Sequence, residues 1–147
     1  MTAIVDTNVV LDVMLDRPPF LSASAAVLAA VEMSRCRGLL CATTVTTIHY
    51  IARRHVGAGK SLARISDLLS IFEVAAVNRA VLVLALARGF GDFEDAVLHD
   101  AAVQSRADCI VTRNIADFRQ AVIPVYSPAQ FIEALDAEED VEEGNGA

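Results

Sequence analysis

Short, nearly unbroken apolar runs alternate along this chain with longer stretches in which apolar residues return every three or four positions. The short runs, residues 2–6, 39–42, 72–77, 109–112 and 123–126, read as five buried β-strands. The longer stretches predict helices over 8–15, 20–37, 43–55, 61–71, 79–88, 92–107 and 128–135, with a helical turn at 114–118. In the second helix Leu21, Ala25, Leu28 and Val31 mark one face; in the third Val45, Ile48 and Ile51 do. Pro18-Pro19 breaks the first helix from the second. Gly38 closes the second, Asn78 caps the fifth, and Pro128 suits the first turn of the last. Strands that alternate with helices in this way predict an α/β fold built on a parallel sheet.

In such a fold, ligands bind outside the carboxyl ends of the strands. Asp6 ends the first apolar run, with Thr7 or Asn8 available to cap the helix that follows. Asp92, Glu94 and Asp95 open the sixth helix. Asp92 and Asp95, three residues apart, share a face, and they also match a helix-capping pattern. His99 follows Asp95 by one turn, as a partner of Asp95 or of solvent. Thr112 ends the fourth strand, where it could hydrogen-bond Asp6 or a metal-bound water. Asn114 and Asp117 lie just beyond it. Carboxylates gathered at one sheet edge repel unless a cation joins them, so Mg²⁺ or Mn²⁺ is the expected cofactor.

Net charge is −7 at neutral pH, which argues against a polyanionic substrate until its distribution is considered. Residues 136–147 hold six acids and no base. Taking six from nineteen leaves thirteen acids against twelve bases in residues 1–135. The chain therefore reads as one domain over 1–135 followed by an acidic, solvated, disordered tail over 136–147. Arg53, Arg54, His55, Lys60 and Arg64 cluster around a helix–turn–helix junction and could meet phosphates. Cys36, Cys41 and Cys109 lack metal-site spacing and read as buried thiols. No apolar run is long enough for a bilayer and no export signal opens the chain, so the expected location is the cytoplasm, away from membranes.

Three segments taken in order, Ile4-Val5-Asp6-Thr7-Asn8, Asp92-Phe93-Glu94-Asp95-Ala96 and Ile110-Val111-Thr112-Arg113-Asn114 with Asp117-Phe118, resemble the PIN domain family, and in particular its VapC-type toxins. The resemblance spans residues 2–135. It implies a three-layer α/β/α fold with a five-stranded parallel sheet. It also implies metal-dependent cleavage of RNA, as the toxin of a type II toxin–antitoxin pair. By resemblance Asp6, Asp92, Asp95 and Asp117 are the catalytic acids, with Asp6, Asp95 and Asp117 on the metal. Thr112, Asn114, Glu94 and Thr47 support them, and Arg53, Arg54, Lys60 and Arg113 hold the RNA. A cognate antitoxin and a homodimer are implied as partners, with helices 20–37 and 43–55 as candidate dimer surfaces.

Two positions depart from the family pattern. The helix after the second strand usually carries a glutamate, whereas Thr43-Thr44-Val45-Thr46-Thr47 has no acid and Thr47 takes that place. The chain thus resembles a threonine-rich variant, in which Glu94 or Asp92 could compensate. Asn114 stands where many members have aspartate. A catalytically weak or inactive PIN-like module that binds RNA or protein is the alternative this motivates. A haloacid-dehalogenase-like phosphatase would need a second aspartate where Asn8 stands, and its late acids should follow a strand rather than the helix 79–88.

Overall fold

The computed structural model describes residues 1–146. Five parallel strands form one sheet: β1 (Thr2–Val5), β2 (Arg37–Cys41), β3 (Glu73–Ala75), β4 (Cys109–Val111) and β5 (Val125–Tyr126), in the order β3-β2-β1-β4-β5. Ile4 lies beside Leu39 on one side and Ile110 on the other. The helices are α1 (Thr7–Met14), α2 (Leu21–Glu32), α3 (Ala42–Val56), α4 (Ala58–Ile71), α5 (Arg79–Ala87), α6 (Phe93–Gln104) and α7 (Pro128–Asn145), with a 3-10 turn at Ile115–Phe118.

Side chains along a strand point alternately to the two faces, and each face has its own core. Ala3, Val5, Leu40, Cys109 and Val111 pack under α1, α2, α3, α4 and α7. Ile4, Leu39, Cys41 and Ile110 pack under α5 and α6. This is the expected three-layer α/β/α arrangement. The strand order changes direction at β1, since the chain moves from β1 to β2 and β3 on one side and returns with β4 and β5 on the other. The crevice between the ends of β1 and β4 is where an open α/β sheet binds its ligand.

Several helix starts carry a polar side chain on an otherwise orphaned N–H. Asn78 accepts from Val81 N–H, and Asp92 accepts from Asp95 N–H. Ser127 and Gln130 form a reciprocal capping box, with Pro128 in the first turn of α7. Among the described residues, no helix is long and apolar enough to cross a membrane. Cys36, Cys41 and Cys109 are free and buried, and burial pushes the Cys109 thiol up to about 12.

Two expectations are corrected here. Gly38 does not end the second helix. That helix stops at Glu32, and Gly38 lies inside β2 where α2 and Phe72 press on the strand. A Cβ at this position would sit 2.7 Å from Val31 and Phe72, so close approach explains the glycine. Over the described residues the acidic segment is no disordered tail either, because α7 runs on to Asn145, while Ala147 lies outside them. Asp136 and Glu139, three residues apart on one face, both bind Arg35, at 2.6 and 2.9 Å. The positive N-terminus lies 3.6 Å from Glu138.

Candidate active site at the β1–β4 crevice

Asp6 follows β1 directly, and its backbone N–H extends the ladder to Val111 C=O at 2.9 Å. Its carboxylate is held on both oxygens. Oδ1 accepts from Thr7 N–H at 2.8 Å, so Asp6 itself caps α1, a role the sequence reading gave to Thr7 or Asn8. Oδ2 accepts from the Thr112 hydroxyl at 2.8 Å and from Asn8 Nδ2 at 3.3 Å. Thr112, fully buried at the end of β4, also accepts from Asn114 N–H at 3.1 Å. Asn8 Oδ1 accepts from Arg113 N–H at 3.3 Å. The first and third sequence segments are therefore tied across the crevice by side chains that converge on one carboxylate.

A cleft of about 360 Å³ opens over Asp6. Asp92, Glu94 and Asp95 from the start of α6 line it, as do Asn114 and Asp117 beyond β4, and Thr44 and Thr47 from α3. The predicted acids thus meet in one cleft. Glu94 Oε1 accepts from the Thr47 hydroxyl at 3.0 Å, which ties α6 to α3. Burial raises the Asp6 carboxyl above its ordinary range against the lowering pull of Thr112 and Thr7, and Glu94 and Asp117 raise it further. Asp95 is pushed up to about 7 by burial first, then by Asp6, Asp92, Asp117 and Glu94. Asp6 and Asp95 are thus disfavoured as anions by the acids around them, which a bound cation would relieve.

The predicted basic side chains lie elsewhere. Arg113 Nε donates to Asp12 at 2.7 Å, and its guanidinium stacks 3.9 Å from the centre of the Phe20 ring. Asp12, fully buried, also accepts from Ser24 at 2.9 Å. Arg113 therefore anchors the loop after β4 to α1 and α2. Arg53 and Arg54 flank the exposed Tyr50 ring at 5.1 and 4.6 Å, and Lys60 is exposed. None of these four lines the cleft, whereas Arg17, from the turn after α1, does. Sequence reasoning passed over Arg17, whose neighbours Pro18 and Pro19 mark it only as a turn residue. It also passed over Asp12, an acid set among the apolar residues of α1. His99 does not partner Asp95. It is fully buried, accepts from Val122 N–H through Nε2 at 3.1 Å, and has Nδ1 3.5 Å from Asp100. Burial lowers its pKa and fits it to that neutral role.

A PIN domain family model matches residues 2–116. The chain belongs to the PIN domain family. No curated protein matches it. Among solved structures, a toxin–antitoxin complex from Klebsiella pneumoniae is similar at 20% identity with a TM-score of 0.65, covering 86% of this chain and 97% of that one. VapBC-1 from nontypeable Haemophilus influenzae is similar at 17% identity and a TM-score of 0.66, covering 88% and 99%. VapC20 from Mycobacterium tuberculosis, a toxin that cleaves the sarcin–ricin loop, is similar at 13% and 0.61, covering 74% and 86%. At these identities the likeness is one of fold.

The donor chemistry of this PIN domain suits a hard divalent cation, because the cleft offers carboxylate, amide and hydroxyl oxygens rather than thiols or imidazoles. As the side chains stand, no three histidine, cysteine or acidic residues among those described are close enough together to hold a metal ion. The acids share a cleft without forming a finished ligand cage.

Proposed function

We propose that this PIN domain is a Mg²⁺- or Mn²⁺-dependent endoribonuclease, the toxin of a type II toxin–antitoxin pair acting in the cytoplasm. The observation that carries the reading is Asp6, buried at the β1–β4 crevice and held by Thr112 and Asn8, with Asp95, Glu94 and Asp117 lining the same cleft. Family membership supports a nuclease. The toxin–antitoxin complex from Klebsiella pneumoniae, similar in fold, supports an antitoxin as partner.

Asp6, Asp95 and Asp117 would hold the cation, with Asp92 beside them. When bound, the cation neutralises phosphate charge and makes a water more acidic. The chain's own residues do the positioning. Thr112 and Asn8 fix the Asp6 carboxylate so that it need not reorganise. Arg113, bound to Asp12, fixes the loop that carries Asn114 and Asp117. Arg17, which lines the cleft, is suited to a phosphate oxygen of the substrate, while Arg53, Arg54 and Lys60 can meet the RNA backbone further out.

The decisive assay is cleavage of labelled transfer and ribosomal RNA fragments with Mg²⁺ or Mn²⁺, beside EDTA and an Asp6→Asn control. Asn keeps a capping oxygen at position 6, so the variant should fold as wild type does. Cleavage should stop in EDTA and drop by more than about a hundredfold in the variant, beyond what loss of an outer-shell partner costs. A folded wild type that cuts no RNA with either metal would make the chain a binding module instead.

A further inference from the structure

The helix that follows β2 lacks the acid that the PIN resemblance expects there, and Thr47 stands in its place on α3. The Thr47 hydroxyl donates to Glu94 Oε1 at 3.0 Å, a bond between residues 47 positions apart. Two acids at the start of α6 are candidates to replace the missing one, and the geometry separates them. Asp92 Oδ1 accepts from Asp95 N–H and caps the helix. Glu94 is not needed for that cap. Its carboxylate reaches over to α3, and Oε2 has no protein partner among the described residues. An exposed glutamate held by one hydroxyl gives up rotamer freedom for little stability. It lines the same cleft as Asp6 and Asp95. What the Thr47 bond does is hold this carboxylate at the wall of the cleft it lines.

We propose that Glu94, steered by Thr47, supplies the divalent-cation site with the carboxylate that α3 supplies elsewhere in the family. The acid has moved from one helix to another and kept its place in the cleft, and a hydroxyl on α3 now guides it. Glu94 is thus a ligand-side residue and Thr47 a positioning residue. The inference rests on the reading of the cleft as a metal-dependent nuclease site.

The test is Mn²⁺ titration of the full chain, with free Mn²⁺ followed by electron paramagnetic resonance. Wild type is compared with Glu94→Gln, Thr47→Val and the double variant Glu94→Gln/Thr47→Glu, and circular dichroism confirms folding of each. Glu94→Gln should weaken Mn²⁺ binding by more than about 100-fold, and Thr47→Val by about 10- to 100-fold, as loss of an outer partner does. The double variant puts the acid back on α3 and should recover most of the affinity, and with it cleavage. Glu94→Gln binding Mn²⁺ as wild type does overturns this inference while leaving the nuclease reading intact. A folded double variant that recovers nothing overturns the idea that the two helices exchange one role. Wild type that binds no Mn²⁺ overturns the metal-site reading itself, and this inference with it.

Discussion

Asp95 keeps its proton up to about pH 7 in the fold, against an ordinary value of 3.8. A carboxyl raised in this way adds stability below the unfolded value, and that contribution fades as pH rises through the folded one. In EDTA, wild type should therefore lose stability from about pH 4 to about pH 8 through this group, whereas Asp95→Asn should not. Calorimetry at both ends should find the variant nearly level with wild type in acid and more stable in base. A gap that stays constant with pH would mean that neither burial nor its acidic neighbours raise the Asp95 carboxyl. Much of the arrangement around Asp6 was readable from sequence, because parallel strands deliver their carboxyl ends to one edge. Thr112 could thus be put at the same sheet edge as Asp6 from the strand assignments, while the pairing of β1 with β4 that makes them neighbours comes from the structure. The contact between Thr47 and Glu94 was not readable. It depends on how α3 and α6 approach across that edge, and no spacing within either helix encodes it. Asp12 did leave a signal, a charge among the apolar residues of α1, but its partner Arg113 lies 101 positions away.

Elements were legible where burial set their limits and obscure where something else did. The strands and most helices of the sheet follow from apolar periodicity. Past Leu135, α7 has few apolar residues left to reveal it. What continues the helix is the high propensity of Ala and Glu, together with Asp136 and Glu139 clasping Arg35. Gly38 misled for a different reason. Glycine after a helical stretch signals a helix end, but here it makes room, with Val31 and Phe72 each 2.7 Å from where a Cβ would stand. Both neighbours are buried core side chains, so they have little space in which to give. Gly38→Ala should cost about 1–3 kcal/mol, the usual penalty of overpacking a filled core. Urea denaturation should find a lower midpoint with the slope unchanged. An unaltered midpoint would mean that α2 shifts on the sheet at no cost.

At the scale of the whole molecule, the two helical layers are finished to different degrees. Helices 20–37 and 43–55 were candidate dimer surfaces that the sequence could not tell from core, and the structure turns apolar residues of both inward, with Val27 and Ile48 fully buried. A run of exposed apolar side chains lies on α5. That helix meets the core through Val81 and Ala85 and has no charged residue between Arg79 and Arg88. It leaves Leu82, Val83, Leu84 and Leu86 at 39%, 52%, 42% and 73% exposure. Clustered aliphatic side chains on a surface mark an interaction site. A face with no charge of either sign can pair with a copy of itself about a two-fold axis without bringing like charges together. We therefore expect a homodimer closed through α5. Sedimentation should give twice the chain mass for wild type and the chain mass for Val83→Asp/Leu86→Asp, a variant whose changes lie at exposed positions and leave Val81 and Ala85 in place. A monomeric wild type at micromolar concentration, or a double variant that still dimerises, would remove α5 as the dimer surface. A dimer broken by these two charges would instead assign this helix to assembly, on residues that do not line the acidic cleft.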